Sequence, residues 1–166
     1  MKESTNGRIK LRAAASIAFL SAIALAARTN SVLVSVSPPE AASGAEVQVP
    51  IAIDGSAAPI GAFGLDVSYP AAMFEYLGAV KGPLTADWAY VAANPVKPGE
   101  VRVGAFAGAG TKIAAGKAGT LVVLRFRVTC GACAKGTTGK MCISGFVDGL
   151  AGMGGSDSCA LFSLIK

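Results

Sequence analysis

The chain has 166 residues, 52% of them hydrophobic, and carries a formal net charge of +5 with no histidine. The absence of histidine excludes Ser-His-Asp and Cys-His catalytic arrangements and histidine-ligated zinc. Four basic residues precede residue 13, and without residues 1–26 the net charge falls to about +2, with the remaining lysines scattered through turns, so nothing predicts a nucleic-acid partner.

The N-terminal segment predicts a secretory signal peptide over residues 1–26. Its first 12 residues are basic, and the uncharged stretch from Ala13 to Ala27 is shorter than the ~20 apolar residues that cross a bilayer. Small residues at positions 24 and 26 stand where signal peptidase reads them. An uncleaved membrane anchor is the alternative. We expect a secreted protein, extracellular or at the cell surface, with one domain over residues 31–166.

The first half of this domain alternates apolar and polar residues at a period of two, which is typical of half-buried strands. Residues 32–36 form the first such run and residues 46–53 the second. Pro50 lies inside the second run, and because proline cannot donate a backbone hydrogen bond, we expect that strand to lie at a sheet edge or to bend there. In the third run, residues 62–69, the outward face is predicted to carry Ala62, Gly64, Asp66 and Ser68.

The second half continues the pattern. Residues 74–80 and 88–93 predict short strands, and residues 101–106 predict a strand with Arg102, Gly104 and Phe106 outward. The strongest strand spans residues 120–129 and begins apolar on both faces, so we expect it at the centre of a sheet. Residues 141–147 and 161–165 bring the count to eight or nine strands, without helical periodicity. The sequence therefore predicts an all-β, two-sheet β-sandwich.

Four cysteines occur late in the chain. In a secreted protein an even number indicates disulfides, here with three possible connectivities. A bridge from Cys130 to Cys142 would cross one hairpin. A redox role for the Cys130-Gly-Ala-Cys133 motif and a zinc site are less well supported, because the motif follows a strand rather than opening a helix and has no second copy. We predict structural disulfides among Cys130, Cys133, Cys142 and Cys159.

The acidic residues stand singly, mostly at turns, and no pair suitable for glycosidase chemistry is evident, so we predict no enzyme activity. Asp148-Gly149 and Asp157 flank a glycine-rich stretch, but their spacing fits no EF-hand loop, and we predict neither a metal site nor a cofactor. A sugar-stacking platform is one interpretation of three aromatic residues, and burial in the core is the other. These residues are Tyr76, Trp88 and Tyr90.

Several segments, in order, resemble a cohesin domain. Val34 to Ile53, VSVSPPEAASGAEVQVPIAI, resembles the opening strand, turn and Val-Pro-Ile strand of that family. Ile60 to Pro70 resembles the following strand, and Gly119 to Val128, GTLVVLRFRV, is the most characteristic piece. The resemblance extends from about residue 31 to residue 147; the last ~20 residues and the cysteines depart from the family pattern.

The resemblance implies a jelly-roll type β-sandwich of nine strands and a non-catalytic role. Cohesins bind dockerins, small calcium-loaded domains, and so join secreted glycoside hydrolases into complexes that degrade polysaccharides. We therefore predict a dockerin-like calcium-binding domain of a secreted protein as the partner. A carbohydrate-binding module that contacts polysaccharide directly and a structural cell-surface domain are the alternatives.

The resemblance also implies a partner-binding face. Two polar residues that contact dockerin in the best-known cohesins fall on Ala62 and Gly64, and a third falls near Gly108, so the usual polar groups are absent. We expect a flat, more apolar face, with Arg102 and Phe106 as anchors. A register shifted by one residue would instead bury Phe106. The predicted partner-binding residues are Ala62, Gly64, Asp66, Ser68, Arg102, Phe106 and Gly108.

Overall fold

The computed structural model describes residues 31–35, 37–109, 111–153 and 158–165. The predicted signal peptide and Asp157 lie outside these residues. No helix in the described part is long and apolar enough to cross a membrane. Besides a short 3₁₀ helix at Pro83–Thr85, the described elements are the strands β1 (Val32–Val34), β2 (Glu40–Ala41), β3 (Glu46–Asp54), β4 (Ala62–Ser68), β5 (Phe74–Lys81), β6 (Tyr90–Lys97), β7 (Glu100–Phe106), β8 (Ala118–Val128), β9 (Thr138–Asp148) and β10 (Cys159–Leu164).

The strands form two sheets, which confirms the predicted all-β sandwich. One sheet has the order β1-β3-β8-β5 and the other the order β2-β10-β9-β4-β7-β6. Nine of the ten strands match predicted runs; the tenth, β2, has two residues and pairs in parallel with β10. The apolar faces of both sheets meet in one core, where the alternation predicted for β3 and β7 buries Val47, Val49, Val101 and Val103 completely.

The prediction that β8 is central is confirmed, because β3 and β5 pair with its two edges. Of the two alternatives predicted for Pro50, a sheet edge or a bend, the sheet edge is wrong, because β3 also has a neighbour on each side. The Pro50 carbonyl accepts a hydrogen bond from Ser35 N, so the missing N–H faces the side of β1, just past the end of that strand. The register of β3 against β8 shifts one residue later, between Ile51 and Ala52.

The four cysteines form two disulfides, which confirms the prediction that they are paired, but the suggested hairpin bridge from Cys130 to Cys142 is wrong. Cys130 pairs with Cys133 within the loop that follows β8, and Cys142 pairs with Cys159. Cys142 and Cys159 are register partners on β9 and β10, with Cα atoms 4.1 Å apart. Cys130 follows β8 at the end of the four-stranded sheet, whereas Cys142 lies on β9 of the six-stranded sheet. Because β9 pairs with β10, Cys142 meets Cys159 instead.

Candidate functional site

The outward surface of β4, β7 and β6 is organised in rows, because the three strands pair antiparallel and in register. Three rows run across the strands, and each takes one residue from β4, one from β7 and one from β6. We name them the aromatic row (Ala62, Phe106, Tyr90), the glycine row (Gly64, Gly104, Ala92) and the charged row (Asp66, Arg102, Asn94).

The aromatic row exposes two stacked rings. Phe106 is 48% exposed and Tyr90 44% exposed, with ring centroids 5.3 Å apart and an interplanar angle of 18°. Phe106 points outward because β7 alternates regularly and buries Val101, Val103 and Ala105 on the opposite side. The shifted register that would bury Phe106 is therefore excluded by the structure.

The glycine row is a depression between the other two rows. An added Cβ at Gly64 would approach Val147 Cγ2 on β9 to 2.8 Å, so a side chain there would displace Val147. An added Cβ at Gly104 would meet no atom of the described residues within 4 Å. A cleft of about 280 Å³ begins at Gly64 and is lined by side chains of Asp66, Arg102 and Val147.

The charged row holds a two-point ion pair. Arg102 Nε donates to Asp66 Oδ1 at 2.7 Å and a terminal nitrogen donates to Oδ2 at 3.2 Å, and these hydrogen bonds raise the pKa of Arg102. Gly145, in the left-handed region at φ 64°, leaves room for the carboxylate, since a Cβ there would lie 2.8 Å from Asp66 Oδ2. Lys97 and Glu100 form a second pair at 2.9 Å, so the charges at this end are matched.

The structure brings six of the seven predicted partner-binding residues onto this surface. Ser68 is exposed at the end of β4, and its hydroxyl donates to the Cys142 carbonyl at 3.4 Å. Gly108 lies outside the rows, in the turn after β7, where its φ of 68° and a 2.9 Å approach to Ala89 Cβ favour glycine. The partner-binding prediction did not include Tyr90 or Val147, which belong to the same surface.

The three aromatic residues of the alternative sugar-stacking interpretation are not brought together, and Trp88 follows the other interpretation, burial in the core. Trp88 is 1% exposed, packs on Phe63 and donates from Nε1 to the Thr111 carbonyl at 3.1 Å. Tyr76 packs edge-on against the core and donates to the Ala93 carbonyl at 3.0 Å, and burial raises the pKa of its phenol. Trp88 precedes β6, so strand alternation does not relate it to Tyr90.

The described residues contain no group of three or more acidic or cysteine side chains arranged to hold a metal ion. Three carboxylates that strands present to solvent are paired with arginines: Asp66 with Arg102, Glu46 with Arg125 and Glu75 with Arg127. The surface of β4, β7 and β6 offers stacked rings, exposed backbone and matched charges. Aromatic side chains and arginine are enriched in protein–protein interfaces.

Comparison with known proteins gives one family. Residues 32–155 match the model of the cohesin domain. No curated protein sequence matches the chain.

Three similar solved structures are the cohesin module of a family 33 glycoside hydrolase from Clostridium perfringens, the sixth cohesin of scaffoldin B from Acetivibrio cellulolyticus, and a non-cellulosomal cohesin from the archaeon Archaeoglobus fulgidus. Their identities to the chain are 16%, 19% and 21%, and their TM-scores are 0.65, 0.63 and 0.58. The matches cover 84%, 80% and 81% of this chain and 98%, 98% and 91% of those chains. The Acetivibrio cohesin is in complex with a dockerin. This likeness shows that the chain has the jelly-roll sandwich fold of these modules.

Proposed function

The chain belongs to the cohesin domain family, and from this membership we propose that it is a secreted, non-catalytic module that binds a dockerin-type protein. The observation that carries the proposal is the stacked, half-exposed Tyr90–Phe106 pair on the flat outer surface of β4, β7 and β6. Exposed aromatic residues beside small ones are typical of protein interfaces, and truncation of such anchors costs ~2 kcal/mol or more of binding energy. Similar cohesins are found in complex with dockerins.

The proposed setting is extracellular, and the partner is a calcium-binding domain of another secreted protein that acts in polysaccharide degradation. The two disulfides support an oxidising compartment, because such bonds persist in secreted proteins and are rare in the cytosol. The predicted signal peptide over residues 1–26 supports the same setting. The ion-paired carboxylates support a non-catalytic role, because a glycosidase needs two acids that face a common substrate.

The test is a binding titration of the purified protein against dockerin domains encoded by the same organism, with calcium and with a chelator. We expect one-to-one binding that requires calcium, since the chelator unfolds the partner rather than this domain. Phe106→Ala should weaken binding by about 30-fold or more. Leu33→Ala, at a residue that is equally exposed on the other sheet, is the matched control and should leave binding unchanged.

A parallel sedimentation assay with insoluble polysaccharides separates this proposal from direct carbohydrate binding. Retention of the protein on polysaccharide without dockerin, together with no binding to any of the dockerins, would overturn the proposal. Equal loss of dockerin binding in Phe106→Ala and Leu33→Ala would show that the aromatic row is not the docking site.

A further inference from the structure

The two disulfides of the domain, which we name the strand disulfide (Cys142–Cys159) and the loop disulfide (Cys130–Cys133), are held in different ways. Cys142 and Cys159 face each other on β9 and β10, so strand pairing keeps their sulfur atoms together even when the bond is open. Cys130 and Cys133 are three residues apart in the loop between β8 and β9, where no strand pairing in the described chain joins them. Strand pairing therefore favours re-formation of the strand disulfide and does not act on the loop disulfide.

The loop between β8 and β9 is anchored at both ends by hydrogen bonds that do not involve its disulfide. At its start, Thr129 N donates to the Met73 carbonyl at 2.9 Å, and near its end Gly136 N donates to the Leu164 carbonyl at 2.8 Å. A disulfide also stabilises a fold less when it closes a shorter stretch of chain, and the sequence separation is 3 for the loop disulfide and 17 for the strand disulfide. The fold therefore depends less on the loop disulfide.

The surroundings of the loop disulfide allow another molecule to approach it. Its two cysteines are half-buried, and Gly131 and Ala132 between them are exposed. A cleft of about 260 Å³ lies beside both cysteines, and its lining includes Leu164 and Ile165 and no charged side chain of the described chain. The species that attacks a disulfide is an anionic thiolate, and the rate depends on access to a sulfur atom. The loop carries Lys135 and no acidic residue, so its own charges do not repel a thiolate.

Exposure of the cysteines does not by itself separate the two disulfides, because Cys142 and Cys159 are half-buried as well. The loop disulfide differs in the cleft beside it, in its exposed intervening residues and in the lack of strand pairing between its cysteines. Its motif opens no helix, so it lacks the helix N-terminus that activates the thiols of thioredoxin-type catalysts. These features suit an acceptor of electrons rather than a catalyst.

We propose that the loop disulfide is a thiol–disulfide exchange site whose substrate is an external dithiol, and that the strand disulfide takes no part. A thiolate of the dithiol attacks one sulfur of the loop disulfide, the S–S bond breaks, and a mixed disulfide forms while the other cysteine leaves as a thiolate and takes up a proton. The second thiol of the donor then loses its proton and attacks the mixed disulfide. This step releases the donor as a disulfide and the loop as two thiols, so two electrons and two protons pass to the loop.

Reduction of the folded protein with dithiothreitol, a small dithiol, tests the inference. The protein is incubated with the reagent without denaturant, free thiols are blocked with N-ethylmaleimide at successive times, and peptide mass spectrometry locates the blocked cysteines. We expect Cys130 and Cys133 to be blocked at least about tenfold faster than Cys142 and Cys159, because the loop disulfide is the more accessible and the less readily re-formed.

Two double variants are matched controls. The variant with Cys130→Ser and Cys133→Ser should release no thiol over the same period and should melt close to the wild-type temperature. The variant with Cys142→Ser and Cys159→Ser should melt at a lower temperature, because it loses the longer closed loop, and should still release two thiols rapidly. The wild-type rates decide the question if either variant does not fold.

Equal rates at the two disulfides, faster blocking of the strand disulfide, or no blocking without denaturant would each overturn the inference. A fall in melting temperature on loss of the loop disulfide that equals the fall on loss of the strand disulfide would overturn it too, because the loop disulfide would then serve the fold. The inference does not rest on the proposed docking function, so failure of either proposal leaves the other in place.

Discussion

The outer faces of the two sheets differ although the same strand alternation produces both. On the four-stranded sheet, Arg125 and Arg127 on β8 bind Glu46 on β3 and Glu75 on β5, with closest N–O distances of 2.6 Å and 3.0 Å. Its two most exposed apolar side chains, Leu33 and Val80, are separated on opposite edge strands. On the six-stranded sheet the exposed rings of Tyr90 and Phe106 are in contact.

This difference supports the proposal that the six-stranded sheet carries the docking face and that the four-stranded sheet is solvated. Exposed cross-strand ion pairs keep their charges hydrated and contribute little to stability, as on an ordinary solvated surface. Single exposed apolar residues are normal on protein surfaces. A contiguous aromatic pair next to bare backbone is the feature that solubility does not explain. It lies on the same sheet as the residues that the cohesin resemblance implies.

The largest effect is expected at Trp88 and Phe106. The sequence alone did not decide whether each of these side chains is buried or exposed. Trp88 is buried and hydrogen-bonded, so Trp88→Ala should lower the free energy of unfolding by ~3–5 kcal/mol. Phe106→Ala should lower it by less than ~1 kcal/mol, because nearly half of that side chain is already in water. Urea denaturation of both variants measures the difference, and equal losses would show that Phe106 belongs to the core.

The second largest effect is expected when an arginine is removed from each face in turn. Arg102→Ala and Arg125→Ala each remove one two-point ion pair with a carboxylate on a neighbouring strand. Their costs in stability should be alike and small, because both pairs are exposed to solvent. Only Arg102→Ala should weaken dockerin binding, by about 30-fold, as loss of an arginine anchor does. Equal binding by both variants would remove Arg102 from the docking site.

Much of the fold and part of the site could be predicted from alternation alone. Phe106 points outward because β7 keeps a period of two without interruption. Alternation could not predict that Tyr90 stacks on Phe106, because this contact depends on how β6 is aligned with β7. A hairpin that pairs Lys97 with Glu100 and continues evenly would place Val91 opposite Phe106. The register shift between Pro95 and Lys97 places Tyr90 there instead.

The remaining errors have the same physical origin, since they concern pairing between distant segments. The disulfide partners Cys142 and Cys159 meet because β9 and β10 pair, which no local pattern indicates. Pro50 is tolerated inside a sheet because β1 ends beside it. The close contact at Gly64 comes from Val147, more than 80 residues later in the chain. Local periodicity thus predicts which face a side chain occupies, whereas its neighbours depend on register.

The smallest effect concerns the pH dependence of the solvated face. The hydrogen bond from Arg125 holds the pKa of Glu46 below its usual value of 4.5. A carboxylate whose pKa is lower in the folded protein contributes stability that is fully present above the unfolded pKa. This contribution is lost as the pH falls through the folded pKa. The wild-type protein should therefore lose a small part of its stability below about pH 4.5 that Glu46→Gln does not lose.

Denaturation midpoints measured from pH 6 to pH 3 test this assignment. Arg125→Ala removes the same interaction from the other side, so it should flatten the curve as Glu46→Gln does, and the double variant should flatten it no further, since the two residues act through one pair. Dockerin binding at neutral pH should be unchanged in all three variants, because this pair lies on the sheet opposite the aromatic row. Weakened binding in Glu46→Gln would show that the four-stranded sheet also contacts the partner. That result would contradict the proposal that only the six-stranded sheet docks it.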